Sequence, residues 1–275
     1  MWVIVAIVLL VAGTLVDVEN PAARAKAVES FVIGHVSNGY HWGPLPGVDI
    51  TLPPFLPIHA LMLIFGAVIL YQIFVVRYDK TAKVPTGMTN ALEAFVVHLR
   101  DQISIQFLGE DDGRKMAPLF ITFFFFILTL NVMGLIPLFA TATSNVNVTA
   151  SLALITLVFM IFGTIYKNGP IGFMKAFIPP GVPWPLLLII VPIEFVGMFI
   201  KAGSLTIRLF ANMLGGHIAI LALLGLVVTY GLGGMPFMVL ALGTYVLEVL
   251  VAVLQAYIFT LLSAVFIGMM YHPAH

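Results

Sequence analysis

Apolar residues run along this chain in long blocks, interrupted by a few short polar stretches, and the length of each block suggests its role. The first block, residues 1–16, is shorter than the roughly 20 residues a spanning helix needs. It has no basic start, yet its length suits the apolar part of an export signal. Two readings stand side by side: an export signal, cleaved or retained, and a short extra helix. A polar stretch, 17–56, follows with Asp17, Glu19, Arg24, Lys26 and Glu29 and ends in a Pro-rich run. It reads as an extramembrane segment leading into a membrane domain over 57–275.

Within that domain the first clear span is about 57–76, closed by Arg77, Asp79 and Lys80. Residues 87–108 behave differently, with Glu93, His98, Arg100 and Asp101 interleaved among apolar positions at helical spacing. That pattern predicts an amphipathic helix lying at the membrane surface. A charged cluster (Glu110, Asp111, Asp112, Arg114, Lys115) precedes a strongly apolar helix at about 117–139, and another span covers about 148–166. The runs 183–229 and 235–271 exceed one perpendicular crossing, so each must tilt, bend or lie partly in the membrane plane. Pro192 and the Gly215–Gly216 pair are places for a bend. The expected fold is an all-α integral membrane protein. It has about five membrane helices, the last two a long tilted hairpin, plus one amphipathic surface helix. The absence of a convincing internal repeat speaks against an inverted-repeat transporter.

Composition makes lipid the solvent. Hydrophobic residues are 61% and charged residues 9% of 275, whereas a soluble domain carries about 25% charged residues. Mean hydropathy is +1.11. A formal net charge of +0 points to no nucleic-acid partner. With no cysteine, disulfides, thiolate metal sites and cysteine nucleophiles are excluded together. Lys and Arg orient the helices: Arg77, Lys80, Lys83, Arg100, Arg114 and Lys115 lie between the first two spans, and Lys167 and Lys175 follow the third. The segments 140–147 and 230–236 contain neither. The basic loops therefore face the cytoplasm or matrix, residues 17–56 face the other side, and the C-terminus is cytoplasmic.

The informative residues are those that hydrocarbon should exclude. An Arg, Lys or Asp at mid-helix costs about 2.5–3.5 kcal/mol on insertion scales. Even so, 183–229 holds Glu194, Lys201, Arg208, Asn212 and His217, and 235–271 holds Glu248 and Gln255. Glu194, Lys201 and Arg208 are seven residues apart in turn, which keeps them on one helix face within about 40° of drift. Asn212 lies one turn past Arg208 and joins that face. Glu248 and Gln255 are again seven apart, with Tyr245 one turn before Glu248. Two polar stripes of this kind must face each other, water or a partner protein. Arg208 keeps its proton in practice, so its contribution is a fixed positive charge that favours the ionised form of a nearby carboxylate. His217 and Glu248 can titrate, and a titrating pair near a fixed cation is what an intramembrane proton path requires.

Plainer readings remain beside this one. Lys201 can snorkel to an interface. Arg208 can form a structural ion pair with Glu194 or Glu248, and His217 can be a hydrogen-bonded packing histidine. Asn212 and Gln255 can be interhelical hydrogen-bonding groups. Asn147-Val148-Thr149 matches a glycosylation pattern that is common by chance. Neither H-E-x-x-H, G-x-S-x-G nor a phosphate-binding glycine loop occurs, and no metal or cofactor is expected.

The run SLTIRLFANMLGGHI at 204–218 resembles the signature of subunit a of F-type ATP synthases. Further motifs follow that family's order: N-V-M-G-L-I-P (131–137), S-N-V-N-V-T-A-S-L-A (144–153), Glu194 fourteen residues before Arg208, and L-Q-A-Y-I-F (254–259). The resemblance covers about 57–272, and 1–54 finds no clear counterpart. It implies that Arg208 is the essential arginine facing the carboxylates of a ring of c subunits. Asn212, His217, Glu248 and Gln255 would line the half-channel open to the outer side, Glu194 would belong near the cytoplasmic half-channel, and Lys201 and Tyr245 would be supporting residues. The implied partners are the c-ring, the subunit b stator stalk and the rest of the complex in lipid. The implied location is the bacterial plasma membrane, with the mitochondrial inner membrane as the alternative. In many bacterial relatives Glu stands at 217 and His at 248; here the pair is exchanged, which keeps one acid and one imidazole in the same space. Some relatives carry Asp at Gly134. Two rival functions are an ion channel or secondary transporter that binds an anion at Arg208, and a membrane-embedded enzyme using His217 and Glu248 as acid and base.

Overall fold

The computed structural model describes residues 41–45, 48–51, 53, 57–76, 87–136, 139–178 and 181–272. The expectations for 1–16, for 17–40, and for Arg77, Asp79, Lys80 and Lys83 lie outside the described residues. The chain divides into two compact units. The described parts of the first lie within Met1–Ile69, Leu128–Asn145 and Phe210–Gln255, and those of the second within Leu70–Ile127, Val146–Leu209 and Ala256–His275.

A small antiparallel hairpin, β1 (His41–Leu45) with β2 (Val48–Thr51), sets Trp42 opposite Ile50. Everything else with regular structure is helical among the described residues. Helix α1 (Ile58–Tyr71) begins where the Pro57 carbonyl accepts the Ala60 and Leu61 N–H groups. It carries no charged residue, as a lipid-solvated span requires, and runs on through a π-turn at Gln72–Val76.

The surface helix expected at 87–108 corresponds to α2 (Met88–Leu99) and the π-turn Arg100–Ile105. Glu93 and His98 are exposed while Leu99 and Ile103 are buried, which is the amphipathic division the spacing predicts. Helix α3 (Gln106–Gly134) then contains a sharp break at Gly109, whose φ of 80° and ψ of 173° leave the helical region. Only glycine adopts such a φ at low cost, so the surface helix turns into the span at this residue. Just beyond it, the Ser104 hydroxyl donates to the Gly113 carbonyl at 2.5 Å. A Cβ on Gly113 would lie 2.6 Å from the Ile105 Cα, so the two backbones touch where residue 113 has no side chain. The span ends at Gly134 and not near 139. The Leu135 and Ile136 N–H groups close the last turn on the Asn131, Val132 and Met133 carbonyls, and the sequence then reaches Pro137, which has no N–H to extend it.

Helices α4 (Val146–Val158) and α5 (Thr164–Lys175) are joined by a π-turn at Phe159–Gly163, and α5 breaks at Gly169, immediately before Pro170. Helix α6 (Trp184–Tyr230) is continuous over 47 residues, with Pro192 inside it and Gly215–Gly216 within the helix. A short 3-10 turn, Gly231–Gly234, leads into α7 (Met235–Tyr271), 37 residues long. At 1.5 Å per residue α6 is about 70 Å long, more than twice a hydrocarbon core of about 30 Å, so it cannot cross perpendicularly. Five helices are long and apolar enough to span a membrane: Ile58–Val76, Thr89–Gly134, Val146–Lys175, Trp184–Val227 and Met235–Tyr271. The protein is an all-α, multi-pass membrane protein with one surface helix.

Each unit has its own packing. In the first, Ile220, Leu221 and Leu224 of α6 meet Ala241 of α7, with Leu223 and Tyr245 against them, so the two long helices run back along one another here. In the second, aromatic contacts (Phe74 with Phe125, Phe95 with Phe124, Phe123 with Phe259) join the π-turn, α2, α3 and α7. Thr156 of α4 and Ser263 of α7, both buried, share a hydrogen bond of 3.0 Å. A polar knot ties the ends of the helices: Lys167 pairs with Asp112 and lies 3.1 Å from His272 Nε2, which is 2.8 Å from the Leu108 carbonyl.

Candidate functional site

In the first unit the last member of the α6 stripe, Asn212, and His217 beyond it meet the polar residues of α7. Asn212 of α6 donates through Nδ2 to Gln255 Oε1 of α7 at 2.7 Å. Farther along the same pair of helices, His217 Nδ1 stands 2.6 Å from Glu248 Oε1. The seven-residue step from 248 to 255 on α7 and the five-residue step from 212 to 217 on α6 thus place two cross-helix polar contacts in succession. Gln255 is buried and Asn212 is exposed.

His217 and Glu248 are both almost wholly buried, with side chains 8% and 3% exposed. The contact has ion-pair distance, and by strict hydrogen-bond geometry neither Glu248 oxygen has a partner among the described residues. The same His217 Nδ1 lies 2.9 Å from the Met213 carbonyl one turn earlier, and its N–H points there in the tautomer that carries hydrogen on Nδ1. Burying a carboxylate without donors is expensive, and the imidazole beside it is the group that offsets that cost when charged. The approach depends on Gly216: a Cβ there would lie 2.6 Å from Glu248 Oε1.

The far side of the His217 ring is held by a segment the sequence did not mark. Nε2 is 2.7 Å from the Thr141 hydroxyl and 2.9 Å from the Gly134 carbonyl. A Cβ on Gly134 would meet Thr141 Cγ2 at 2.7 Å, so a side chain at 134 requires this threonine to shift. Asn131, buried one turn earlier on α3, donates to the Ala252 carbonyl of α7 at 3.2 Å and anchors the span to the helix that carries Glu248. Gly134 is the departure that the resemblance already marked, whereas sequence reasoning did not single out Thr141, Asn131 or Gly216 as neighbours of the imidazole and the carboxylate. The motif N-V-M-G and the stretch before S-N-V-N ran past them, but nothing in either tells which atom meets the imidazole.

The second unit holds the rest of the α6 stripe. Arg208 is half-buried on α6 and has no ion-pair partner among the described residues. Glu194, the acid one plainer reading gave it, lies instead 3.9 Å from Lys201 Nζ, in a pair with 47% and 30% side-chain exposure. An exposed pair of this kind contributes about 0–1 kcal/mol. One position before each polar residue stands an exposed isoleucine, Ile193, Ile200 and Ile207, so this face of α6 presents an apolar stripe alongside the polar one. Tyr245 packs into the apolar cluster between α6 and α7 in the first unit. Among the described residues no group of three His, Cys, Asp or Glu side chains is arranged to hold a metal.

Comparison with known proteins adds the following. The family described as ATP synthase A chain matches residues 59–268. ATP synthase subunit a of Anaeromyxobacter dehalogenans (strain 2CP-C) is 43% identical over 215 residues, which cover 76% of this chain and 56% of the relative. The subunit a of Chloroherpeton thalassium is 44% identical over 230 residues (81% of this chain, 67% of the relative), and that of Myxococcus xanthus 39% over 244 residues (86% and 79%). Against the Anaeromyxobacter relative, this chain spans little more than half the length.

Proposed function

The chain belongs to the ATP synthase A chain family, and from that premise we propose that it is the proton-translocating stator subunit of a rotary ATP synthase, working against a ring of c subunits. The observation that carries the reading is the buried His217–Glu248 contact, with both carboxylate oxygens lacking a donor among the described residues. Such a pair accepts and passes on a proton at low structural cost, since charge on one member is matched by its neighbour.

On this reading protons enter from the outer side along the polar face formed by Asn212, Gln255, His217 and Glu248. They are delivered to a carboxylate on the ring, which then moves into lipid in neutral form. After rotation the carboxylate meets the cytoplasmic half-channel, with Glu194 near it and Lys201 in support, while Tyr245 supports the polar face of the first unit. Arg208 holds a permanent positive charge that favours the ionised carboxylate and keeps the two half-channels from joining. The exposed stripe of Ile193, Ile200 and Ile207 beside Glu194, Lys201 and Arg208 suits a partner that is largely apolar with one polar group per repeat. A membrane potential supplies about 2.3 kcal/mol per charge per 100 mV, so several protons are needed per ATP, which suits a ring. The polypeptide itself neither makes nor hydrolyses ATP; subunit b and the rest of the complex hold it against rotation, in the bacterial plasma membrane.

The test is Arg208→Ala in the assembled complex, with assembly checked by immunoblot and ATP-driven proton uptake measured in inverted membrane vesicles. Loss of uptake with normal assembly and a passive proton leak is the expected result. Normal coupled uptake overturns the mechanism and returns Arg208 to a structural role.

A further inference from the structure

We propose that Thr141 is the positioning residue that lets His217 change protonation state without moving, its hydroxyl donating to Nε2 of the neutral imidazole and giving way to the Gly134 carbonyl when Nε2 carries a proton. The inference rests on the reading of His217 as a member of the proton path.

The argument is one of donors and acceptors. A carbonyl oxygen only accepts, and both ring nitrogens of His217 stand at hydrogen-bond distance from one: Nδ1 at 2.9 Å from Met213 and Nε2 at 2.9 Å from Gly134. Both bonds are made together only when both nitrogens carry hydrogen, that is, in the imidazolium form. In the neutral ring one nitrogen has a lone pair. In the tautomer that keeps Nδ1–H on the Met213 carbonyl, that lone pair is on Nε2 and faces the Gly134 carbonyl, a repulsive contact in a buried site. The Thr141 hydroxyl, 2.7 Å from Nε2, removes this problem because a hydroxyl both donates and accepts. It rotates to donate to the lone pair in the neutral state. In the charged state it swings its hydrogen away, toward the Gly134 carbonyl 3.4 Å from it, and leaves Nε2–H to the two oxygens.

Everything that surrounds the ring takes part. Glu248 faces it from α7, the Gly134 carbonyl from α3, the Thr141 hydroxyl from the segment that follows, and the Met213 carbonyl from α6 itself. Thr141 is itself buried, and its own carbonyl accepts from the Ser144 hydroxyl at 2.8 Å, which fixes the turn that presents it. No bond to carbon forms or breaks: the ring gains a proton as the Glu248 carboxyl, 2.6 Å from Nδ1, loses one and returns it in the reverse step, and the hydroxyl rotor keeps Nε2 paired with or without its hydrogen.

Two substitutions separate this role from packing, because they remove opposite parts of the side chain. Thr141→Val keeps the shape and removes the hydroxyl; Thr141→Ser keeps the hydroxyl and removes the methyl group that lies against Gly134. The measurement is ATP-driven proton uptake in inverted vesicles bearing the assembled complex, with assembly followed by immunoblot and the unsubstituted complex run in parallel. Thr141→Val is expected to lower uptake at least tenfold, with Thr141→Ser within threefold of the unsubstituted protein. The reverse order, Val active and Ser impaired, or equal activity in both, overturns the role of the hydroxyl. If Val does not assemble, reduced uptake in an assembled Thr141→Ser complex by more than tenfold likewise overturns it, and uptake retained in that variant supports it. Failure of the unsubstituted complex to take up protons would instead remove the functional reading on which the inference depends.

Discussion

At the scale of single residues, the site is built as much from missing side chains as from present ones. Gly216 is where α6 lets Glu248 lie against it, and a Cβ there would stand 2.6 Å from the carboxylate oxygen. Because that oxygen ends a flexible side chain, Gly216→Ala should leave the helix intact and push the carboxylate away from His217. Overpacking of this kind costs about 1–3 kcal/mol. The expected outcome is a complex that assembles normally but takes up protons about tenfold more slowly; unchanged uptake would mean that the His217–Glu248 distance is not limiting.

At the scale of elements, the junction between α2 and α3 decides how a surface helix becomes a span. Gly109 makes the turn by its positive φ, and Gly113 lets the start of α3 press onto the backbone at Ile105. A Cβ at 113 would also come within 2.8 Å of the Ser104 carbonyl, and both contacted atoms belong to backbone. Gly113→Ala is therefore expected to separate the two segments, break the Ser104 hydrogen bond and reduce the yield of assembled complex several-fold on immunoblot. A yield equal to that of the unsubstituted protein would show that the junction is looser than its geometry suggests. Short π-turns follow α1, α2 and α4. Seven-residue spacing read the stripes of α6 and α7 correctly because an α-helix fixes which positions share a face. Bends were less legible. Gly215–Gly216 and Pro192 lie inside an unbroken helix, while non-helical backbone falls at Gly109 and Gly169, which the spacing did not single out.

At the scale of the whole molecule, α6 and α7 keep most of their apolar surface exposed, with Leu188, Val239 and Val246 among the most open positions. A chain that buries so little of its two longest helices depends on lipid and partners for its stability. If it is the stator half of a rotary device, it conducts nothing without its ring. Purified chain reconstituted alone into liposomes should show proton permeability equal to that of protein-free liposomes under an imposed potential. Conductance above that level would favour the channel or transporter reading, in which Arg208 binds an anion.

The sequence by itself determined that lipid is the solvent, that five stretches are long and apolar enough to cross it, and that Glu194, Lys201 and Arg208 share a face. It also singled out His217 and Glu248, which the structure brings to 2.6 Å of one another. These conclusions depend on composition and on the helical repeat, which are properties of local sequence. Only the tertiary structure decided what surrounds the imidazole. Thr141 and Gly134 reach it from positions 76 and 83 residues away along the chain. One of the two contributes a backbone carbonyl, which every residue possesses and no side chain announces. Which carbonyl meets which nitrogen is set by how α3, α6 and α7 pack, and a space left by glycine becomes visible only when its neighbour is in place.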